Sequence, residues 1–155
     1  MRELERVELT CACMLEDGNG NVLVQERIDP GWPGIAFPGG HVEAGESFAA
    51  AVIREMEEET GLRIRSPRLC GVKHWSMEQG RYIVFFYRAK DYSGELRDCE
   101  EGRNFWISTE ALRSAKLASG FGDNLRVFFV DELDELHYEK RDGEWLTRYY
   151  GESNV

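Results

Sequence analysis

Apolar and polar positions follow two different periods along the chain, and these periods predict where strands and helices lie. Runs rich in β-branched and aromatic residues predict strands at residues 7–15, 21–27, 69–77, 81–90 and 104–108. The turn sequences EDGNG and EQG separate the first two runs and the next two. Asp-Gly and Asn-Gly in EDGNG supply the positive φ angles of a tight turn, so the first pair is predicted to be a hairpin, and the short EQG turn predicts a second one.

Residues 47–60 instead follow the helical period. Ser47 is a typical N-cap, and Gly61 stands where a helix ends. The preceding residues 28–46 hold three of the four prolines and many glycines, which predicts a loop.

The last third of the chain predicts smaller elements. Thr109 is expected to cap a brief helix at 110–116, and residues 117–133 are expected to run from a loop into a helix. Residues 137–150 predict a final hairpin around Asp142-Gly143. This order of elements predicts one α+β domain over residues 1–155, in which helices flank a mixed sheet.

Composition narrows the function classes. The net charge of -10 over 155 residues argues against a general binder of nucleic-acid duplexes or membrane surfaces, which need clustered Lys and Arg. No segment resembles a signal peptide or a membrane span. The four cysteines fit neither a disulfide framework nor a zinc site, and Cys11 and Cys13 are expected to share a buried strand face. These features predict a cytoplasmic location with reduced thiols.

The charged sequence REMEEETG lies within the predicted helix. At about 100° per residue, Glu55, Glu58 and Glu59 fall on one stripe, beside the apolar stripe that contains Met56, whereas Glu57 points to water. Three carboxylates on one stripe repel one another, and no lysine occurs in 47–60 to offset them. The stripe is therefore either a solvated surface or a set of oxygen ligands for Mg²⁺ or Mn²⁺.

The preceding loop favours the metal site. Glu46 lies at the entrance to the helix, and Gly39 and Gly40 allow the backbone to approach a ligand closely. A backbone carbonyl in this loop is a further oxygen donor for a metal.

These residues have the spacing of a known motif. Gly40, Glu46, the run Arg54-Glu55-Met56, Glu58-Glu59 and Gly61-Leu62 match all nine constrained positions of the Nudix box over 23 residues. The chain therefore resembles the Nudix hydrolases, and the likeness extends over roughly residues 6–135. Within that family it is most similar to the MutT-like branch, which includes 8-oxo-dGTP diphosphatases.

The resemblance implies an α/β/α sandwich that hydrolyses a nucleoside diphosphate linked to a further group. It implies Mg²⁺, with Mn²⁺ as an alternative, bound by Glu55, Glu58, Glu59 and the carbonyl of Gly39. Arg54 and Glu46 would orient these carboxylates. Glu101 corresponds to an additional metal-linked glutamate of MutT-like proteins, with Glu100 as the alternative.

Substrate contacts remain open between two readings for each residue. Arg27 and Arg81 are either phosphate contacts or surface arginines at strand ends. Asn124 is either the amide that reads a purine or a helix N-cap. The aromatic rings, including Phe37 and Phe121, either stack on a base or belong to the core. Gly40 is also expected to contact the substrate.

Three functions follow from these readings. The first is Mg²⁺-dependent hydrolysis of a purine nucleoside triphosphate, with an oxidised or an unoxidised base, to NMP and pyrophosphate. The second is Nudix hydrolysis of a nucleotide sugar, a dinucleotide polyphosphate or capped RNA. The third is a non-catalytic nucleotide-binding module. The expected partner is a small-molecule nucleotide rather than a nucleic-acid duplex or a membrane. The sequence does not give the oligomeric state or the general base.

Overall fold

The computed structural model of the protein describes residues 1–152, which form eleven strands and three helices. The strands are β1 (Val7–Leu15), β2 (Asn21–Arg27), β3 (Gly34–Ala36), β4 (Gly39–His41), β5 (Leu62–Arg65), β6 (Arg68–Met77), β7 (Gly80–Ala89), β8 (Asp91–Gly94), β9 (Gly102–Ser108), β10 (Leu133–Arg141) and β11 (Glu144–Gly151). The helices are α1 (Phe48–Thr60), α2 (Thr109–Leu112) and α3 (Phe121–Phe129). No helix in residues 1–152 is long and apolar enough to cross a membrane.

A six-stranded mixed sheet forms the centre of the fold, in the order β11-β10-β6-β7-β1-β4. Strand β1 runs parallel to β7 and antiparallel to β4, and β10 runs parallel to β6. Two smaller sheets, β3-β2-β9 and β5-β8, complete the structure. The predicted mixed α+β architecture is confirmed.

Two apolar clusters pack on the central sheet. Cys11, Cys13 and Leu15 of β1 pack with Val52 and Met56 of α1 in one cluster. The other cluster includes Met14 of β1 and the buried face of α3. Because successive side chains of a strand point to opposite faces, β1 contributes to both clusters. The shared buried face predicted for the two thiols is confirmed.

Helix α1 begins and ends where the sequence predicts. The Ser47 hydroxyl accepts a hydrogen bond from the Ala50 N–H at 3.0 Å. Gly61 takes the left-handed conformation at φ 78° and ends the helix. Met56 is buried and Glu57 is exposed, as their positions on the helix predict.

The hairpin predicted between the first two strands forms only next to its turn, where one antiparallel bridge joins Glu16 to Val22. The chain does turn there, and Asp17 Oδ1 accepts from the backbone N–H of Asn19 and Asn21. However, β1 is paired on both edges with β4 and β7, while β2 pairs with β3 and β9 in another sheet. A tight turn reverses the chain without requiring the two strands to pair, and here the open edge of β1 is taken by β4.

Other local predictions also needed correction. The loop predicted at 28–46 contains β3 and β4, and the stretches that follow α1 and β7 supply β5 and β8. Ser108, rather than Thr109, caps α2 by accepting from the Ala111 N–H, and this helix ends at Leu112. The last hairpin is confirmed around Asp142-Gly143, with φ angles of 53° and 82°, and it extends the central sheet.

Candidate functional site

Strand β4 and helix α1 meet along the predicted acidic stripe. A Cβ atom added to Gly40 would lie 2.3 Å from Cδ of Glu55, and one added to Gly39 would lie 2.0 Å from the carbonyl oxygen of Cys11. Only glycine leaves room for β1 on one side and for the carboxylates of α1 on the other. The backbone N–H of Gly39 donates to Glu59 Oε2 at 3.2 Å. The glycine pair therefore seats the helix carboxylates directly against the sheet.

Arg54 is the cation at the centre of this acidic group. Its Nη2 donates to Glu46 Oε1 at 2.7 Å and to the carbonyl oxygen of His41 at 2.9 Å. Its Nη1 lies 2.9 Å from Glu55 Oε1 and 3.2 Å from Glu58 Oε2. The hydrogen bond from Arg54 lowers the pKa of Glu46 below its ordinary value. Arg54 thus holds the loop entrance and two helix carboxylates in one network.

Glu59 is the buried member of the stripe, with a relative exposure of 7%. Burial raises the pKa of Glu59, and the carboxyl group of Glu101 beside it raises this pKa further. Burial also raises the pKa of Glu55, against the opposing effect of Arg54. Of the two loop glutamates considered as a further ligand, Glu101 is the one that lines the adjoining cavity. Holding these carboxylates close together therefore costs free energy when they are charged.

This donor set fits a hard divalent cation, because carboxylate oxygens are the ligands that Mg²⁺ and Mn²⁺ prefer. Within residues 1–152, no three acidic, histidine or cysteine side chains converge on one point as the structure stands. Arg54 engages two of the carboxylates in its own hydrogen bonds. The groups that would hold the cation are Glu55, Glu58, Glu59 and Glu101, with the backbone of Gly39 beside them.

A cavity of about 560 Å³ lies beside the acidic stripe and is lined by Gly39, Gly40 and Glu101 at that end. Its floor is one row of paired residues across the central sheet, namely His41, Thr10, Val84 and Lys73. Three strand spacings separate the ends of this row, or roughly 14 Å. Glu101 lines the same cavity. One continuous space therefore extends from Glu101, beside the acidic stripe, to strand β6.

The far end of the cavity holds a buried amine and a buried amide. Lys73 Nζ donates to Asn124 Oδ1 at 2.8 Å, and both residues are buried. Burial lowers the pKa of Lys73 to about 8, against the opposing effect of Asp123. The Tyr138 hydroxyl donates to Asp123 Oδ2 at 2.6 Å. Asn124 lies inside α3, whose N-cap is Gly120, so the capping alternative for Asn124 is excluded.

The structure brings some of the predicted substrate contacts to the cavity and leaves one outside it. Arg27 lines the cavity, with its guanidinium 4.7 Å from the centroid of the Trp32 ring. Phe37 is a core residue that packs edge-to-face against Phe121 and also lines the cavity. Arg81 is absent from the lining and instead donates to Glu5.

Trp75, one of the aromatic residues for which stacking or a core position was left open, lines the cavity, and sequence reasoning missed Lys73, Tyr82 and Tyr138, which also line it. Lys73 did leave a signal in the sequence. It lies on the same face of its predicted strand as Gly71 and Trp75, which are two residues away on either side. A lysine at such a position is rarely buried without a partner. Tyr138 lies on β10, beyond the stretch over which the family resemblance was recognised.

Comparison with known proteins identifies the family. The NUDIX domain matches residues 7–146. The chain is 34% identical over 128 residues to the uncharacterized Nudix hydrolase YvcI of Bacillus subtilis, covering 79% of this chain and 77% of YvcI. The chain therefore belongs to the Nudix family of hydrolases, enzymes that act on pyrophosphate bonds.

Two other relatives are named for substrates that differ from each other. The chain is 32% identical over 122 residues to the NAD-capped RNA hydrolase NudC of Mycobacterium tuberculosis, covering 76% of this chain but 38% of NudC. It is 35% identical over 80 residues to the 8-oxo-dGTP diphosphatase of Haemophilus influenzae, covering 50% of this chain and 57% of that enzyme. The MutT protein of Bacillus halodurans superposes with a TM-score of 0.72 at 28% identity, covering 92% and 97% of the two chains. The chain is thus similar to MutT proteins in fold and in sequence.

Proposed function

We propose that the protein hydrolyses a purine nucleoside triphosphate to NMP and pyrophosphate, with Mg²⁺ as cofactor and Mn²⁺ as a substitute. The observation that carries this proposal is the single cavity that joins Glu101, beside the acidic stripe, to the buried amide of Asn124. Phosphates belong at the acidic end, where a divalent cation reverses the local charge. A base belongs at the amide end, where aromatic and polar groups meet.

The residues in and around the acidic stripe have different roles in the proposed reaction. A bound divalent cation would neutralise the anhydride oxygens and acidify a coordinated water. Glu55 and Glu58 would hold such a cation or accept the proton of the attacking water. The water oxygen forms a bond to the α- or the β-phosphorus, and the bond between that phosphorus and the bridging oxygen breaks. The products are NMP and pyrophosphate, and the water proton is taken up by the carboxylate base. Arg54 and Glu46 act as positioning residues, since they fix the carboxylates and touch no reacting atom.

A second candidate function is hydrolysis of NAD-capped RNA, another dinucleotide or a nucleotide sugar. It is favoured by the likeness to NudC, whose identity to this chain is close to that of the diphosphatase. We infer a small nucleotide rather than a nucleic-acid duplex as the substrate, and a cytoplasmic location for the reaction. The third candidate function is nucleotide binding without hydrolysis.

A substrate panel tests the proposal. It should contain dGTP, 8-oxo-dGTP, dATP, ADP-ribose, NADH, diadenosine tetraphosphate and NAD-capped RNA, each with Mg²⁺ and with Mn²⁺. We expect the highest kcat/KM for a purine triphosphate. A higher kcat/KM for NAD-capped RNA or a dinucleotide would overturn the proposal, as would nucleotide binding without turnover of any substrate.

A further inference from the structure

Lys73 carries an ammonium group that the fold encloses but only partly satisfies. The residue has a relative exposure of 6%, and its Nζ lies 4.4 Å from the centroid of the Tyr138 ring and 5.5 Å from that of Trp75. Within residues 1–152 its one hydrogen-bond acceptor is Asn124 Oδ1. Because an ammonium has three N–H donors and burial of a charge is costly, this group needs a further acceptor.

The same hydrogen bond fixes the orientation of the Asn124 amide. Lysine offers no acceptor, so Asn124 must present its oxygen to Lys73 and turn its Nδ2 away. Asn124 Nδ2 has no hydrogen-bond partner among the described residues, since the side-chain hydrogen bond of Asn124 is made by Oδ1. Every solvent-inaccessible side-chain nitrogen and oxygen in those residues does have a partner. This Nδ2 is therefore accessible from the cavity that Asn124 lines. Two neighbouring groups at this end of the cavity act as donors.

We propose that Lys73 is a specificity-determining residue, and that Lys73 and Asn124 together donate to the 6-carbonyl oxygen of a 6-oxopurine, guanine or hypoxanthine. A carbonyl oxygen has two lone pairs and accepts from both donors. Adenine carries an amino group at this position, so two donors would face a third. The proposal rests on the proposed function for placing a purine in the cavity, and it extends that function by naming the base.

The position of Lys73 separates a contact with the base from a contact with phosphate. The row His41, Thr10, Val84, Lys73 spans three strand spacings, so the backbone of Lys73 lies roughly 14 Å from strand β4. Phosphates held at the carboxylates of α1 would be distant from it. The stacked rings of Trp75 and Tyr82, 4.6 Å apart, stand beside Lys73 and supply an apolar surface for a purine.

Equilibrium binding of four nucleoside monophosphates tests the proposal by calorimetry. The wild type should bind GMP and IMP about 10- to 100-fold more tightly than AMP and 2-aminopurine riboside monophosphate, which lack the 6-carbonyl. In Lys73→Met this preference should fall at least about fivefold. Lys140→Met is the matched control, since Lys140 is an exposed lysine that also lies over an aromatic ring, that of Trp145. An unchanged preference in Lys73→Met would overturn the proposal. An equal loss for all four ligands would overturn it too, because it would place the amine on the phosphate.

The binding experiment separates this proposal from the proposed function. If triphosphates are not hydrolysed but the GMP preference depends on Lys73, the proposed function fails and the role of Lys73 stands. If triphosphates are hydrolysed and the wild type binds all four ligands equally, the role of Lys73 fails and the proposed function stands. Thermal unfolding checks that Lys73→Met is folded. Should it not be, the wild-type ligand series alone decides the outcome.

Discussion

Arg54 Nη2 donates to Glu46 Oε1 at 2.7 Å, and this ion pair ties the loop before α1 to the second turn of the helix. The same guanidinium also contacts Glu55. The Arg54–Glu46 pair therefore holds the Glu55 carboxylate in position. Glu46 thus acts at a distance from the reacting atoms.

Replacing the Glu46 carboxylate should lower turnover without unfolding the protein. In Glu46→Gln the side chain keeps its shape but loses the charge that holds Arg54, and we expect kcat to fall about 10- to 100-fold. Steady-state kinetics on dGTP measure this fall. Glu43→Gln is the control, because Glu43 is exposed and lies 3.8 Å from Arg54 Nη1. Equal effects of the two substitutions would contradict the positioning role of Glu46.

Two adjacent glutamates of α1 should differ sharply in their importance. Glu58 belongs to the acidic stripe and lies within reach of Arg54, whereas Glu57 is exposed on the opposite side. Glu58→Gln should lower kcat at least about 100-fold, which corresponds to about 3 kcal/mol of lost transition-state stabilisation. Glu57→Gln should retain activity within about twofold. Similar turnover in both variants, with circular dichroism unchanged, would refute the assignment of the stripe.

Metal addition should stabilise the folded protein through Glu59. The buried carboxylate beside Glu101 is unfavourable without a cation, and a ligand that binds only the folded state raises the free energy of unfolding. At 100 times the dissociation constant of Mg²⁺ this gain is about 2.7 kcal/mol. Thermal scans with Mg²⁺ and with EDTA should show a rise in Tm for the wild type and a much smaller rise for Glu59→Gln. An equal rise in both proteins would exclude Glu59 as a ligand.

Lys73 should cost stability at neutral pH and less at high pH. Burial lowers the pKa of Lys73 to about 8, from 10.5 for an ordinary lysine. Between these two values the unfolded chain binds the additional proton, so the free energy of unfolding contributed by this group rises with pH. At pH 7 we expect Lys73→Met to be about 1 to 3 kcal/mol more stable than the wild type.

Urea denaturation at pH 7 and at pH 10 measures this difference. The advantage of Lys73→Met should shrink at pH 10, where the native amine is neutral. A variant that is less stable than the wild type at pH 7, or an advantage that grows with pH, would contradict the burial of a charged amine.

The elements that depend on local signals could be predicted from the sequence. Ser47, the apolar period and Gly61 define α1 without reference to the rest of the chain, and Asp142-Gly143 defines the last hairpin in the same way. The pairing of β1 with β7 could not be predicted, because it joins residues more than seventy positions apart. The turn at 17–20 indicated a reversal of the chain but not which strand would occupy the neighbouring edge.

The site shows the same division. The stripe of Glu55, Glu58 and Glu59 follows from helical spacing, whereas the cavity is built from β1, β4, β6, β7 and α3, which meet only in the folded chain. Lys73 and Asn124 lie 51 residues apart, and their contact depends on the packing of α3 against β6. Periodicity places each residue on a face of its own element, and it does not give the distance between elements.

The most direct test of the central claim is the identity of the products formed from dGTP with Mg²⁺, measured by ³¹P NMR in water enriched in ¹⁸O. Hydrolysis of the anhydride bond between the α- and β-phosphates predicts dGMP and pyrophosphate in equal amounts, with the label in one of these two products. Release of orthophosphate and dGDP, or no release of phosphate from dGTP under conditions in which NAD-capped RNA is cleaved, would contradict it.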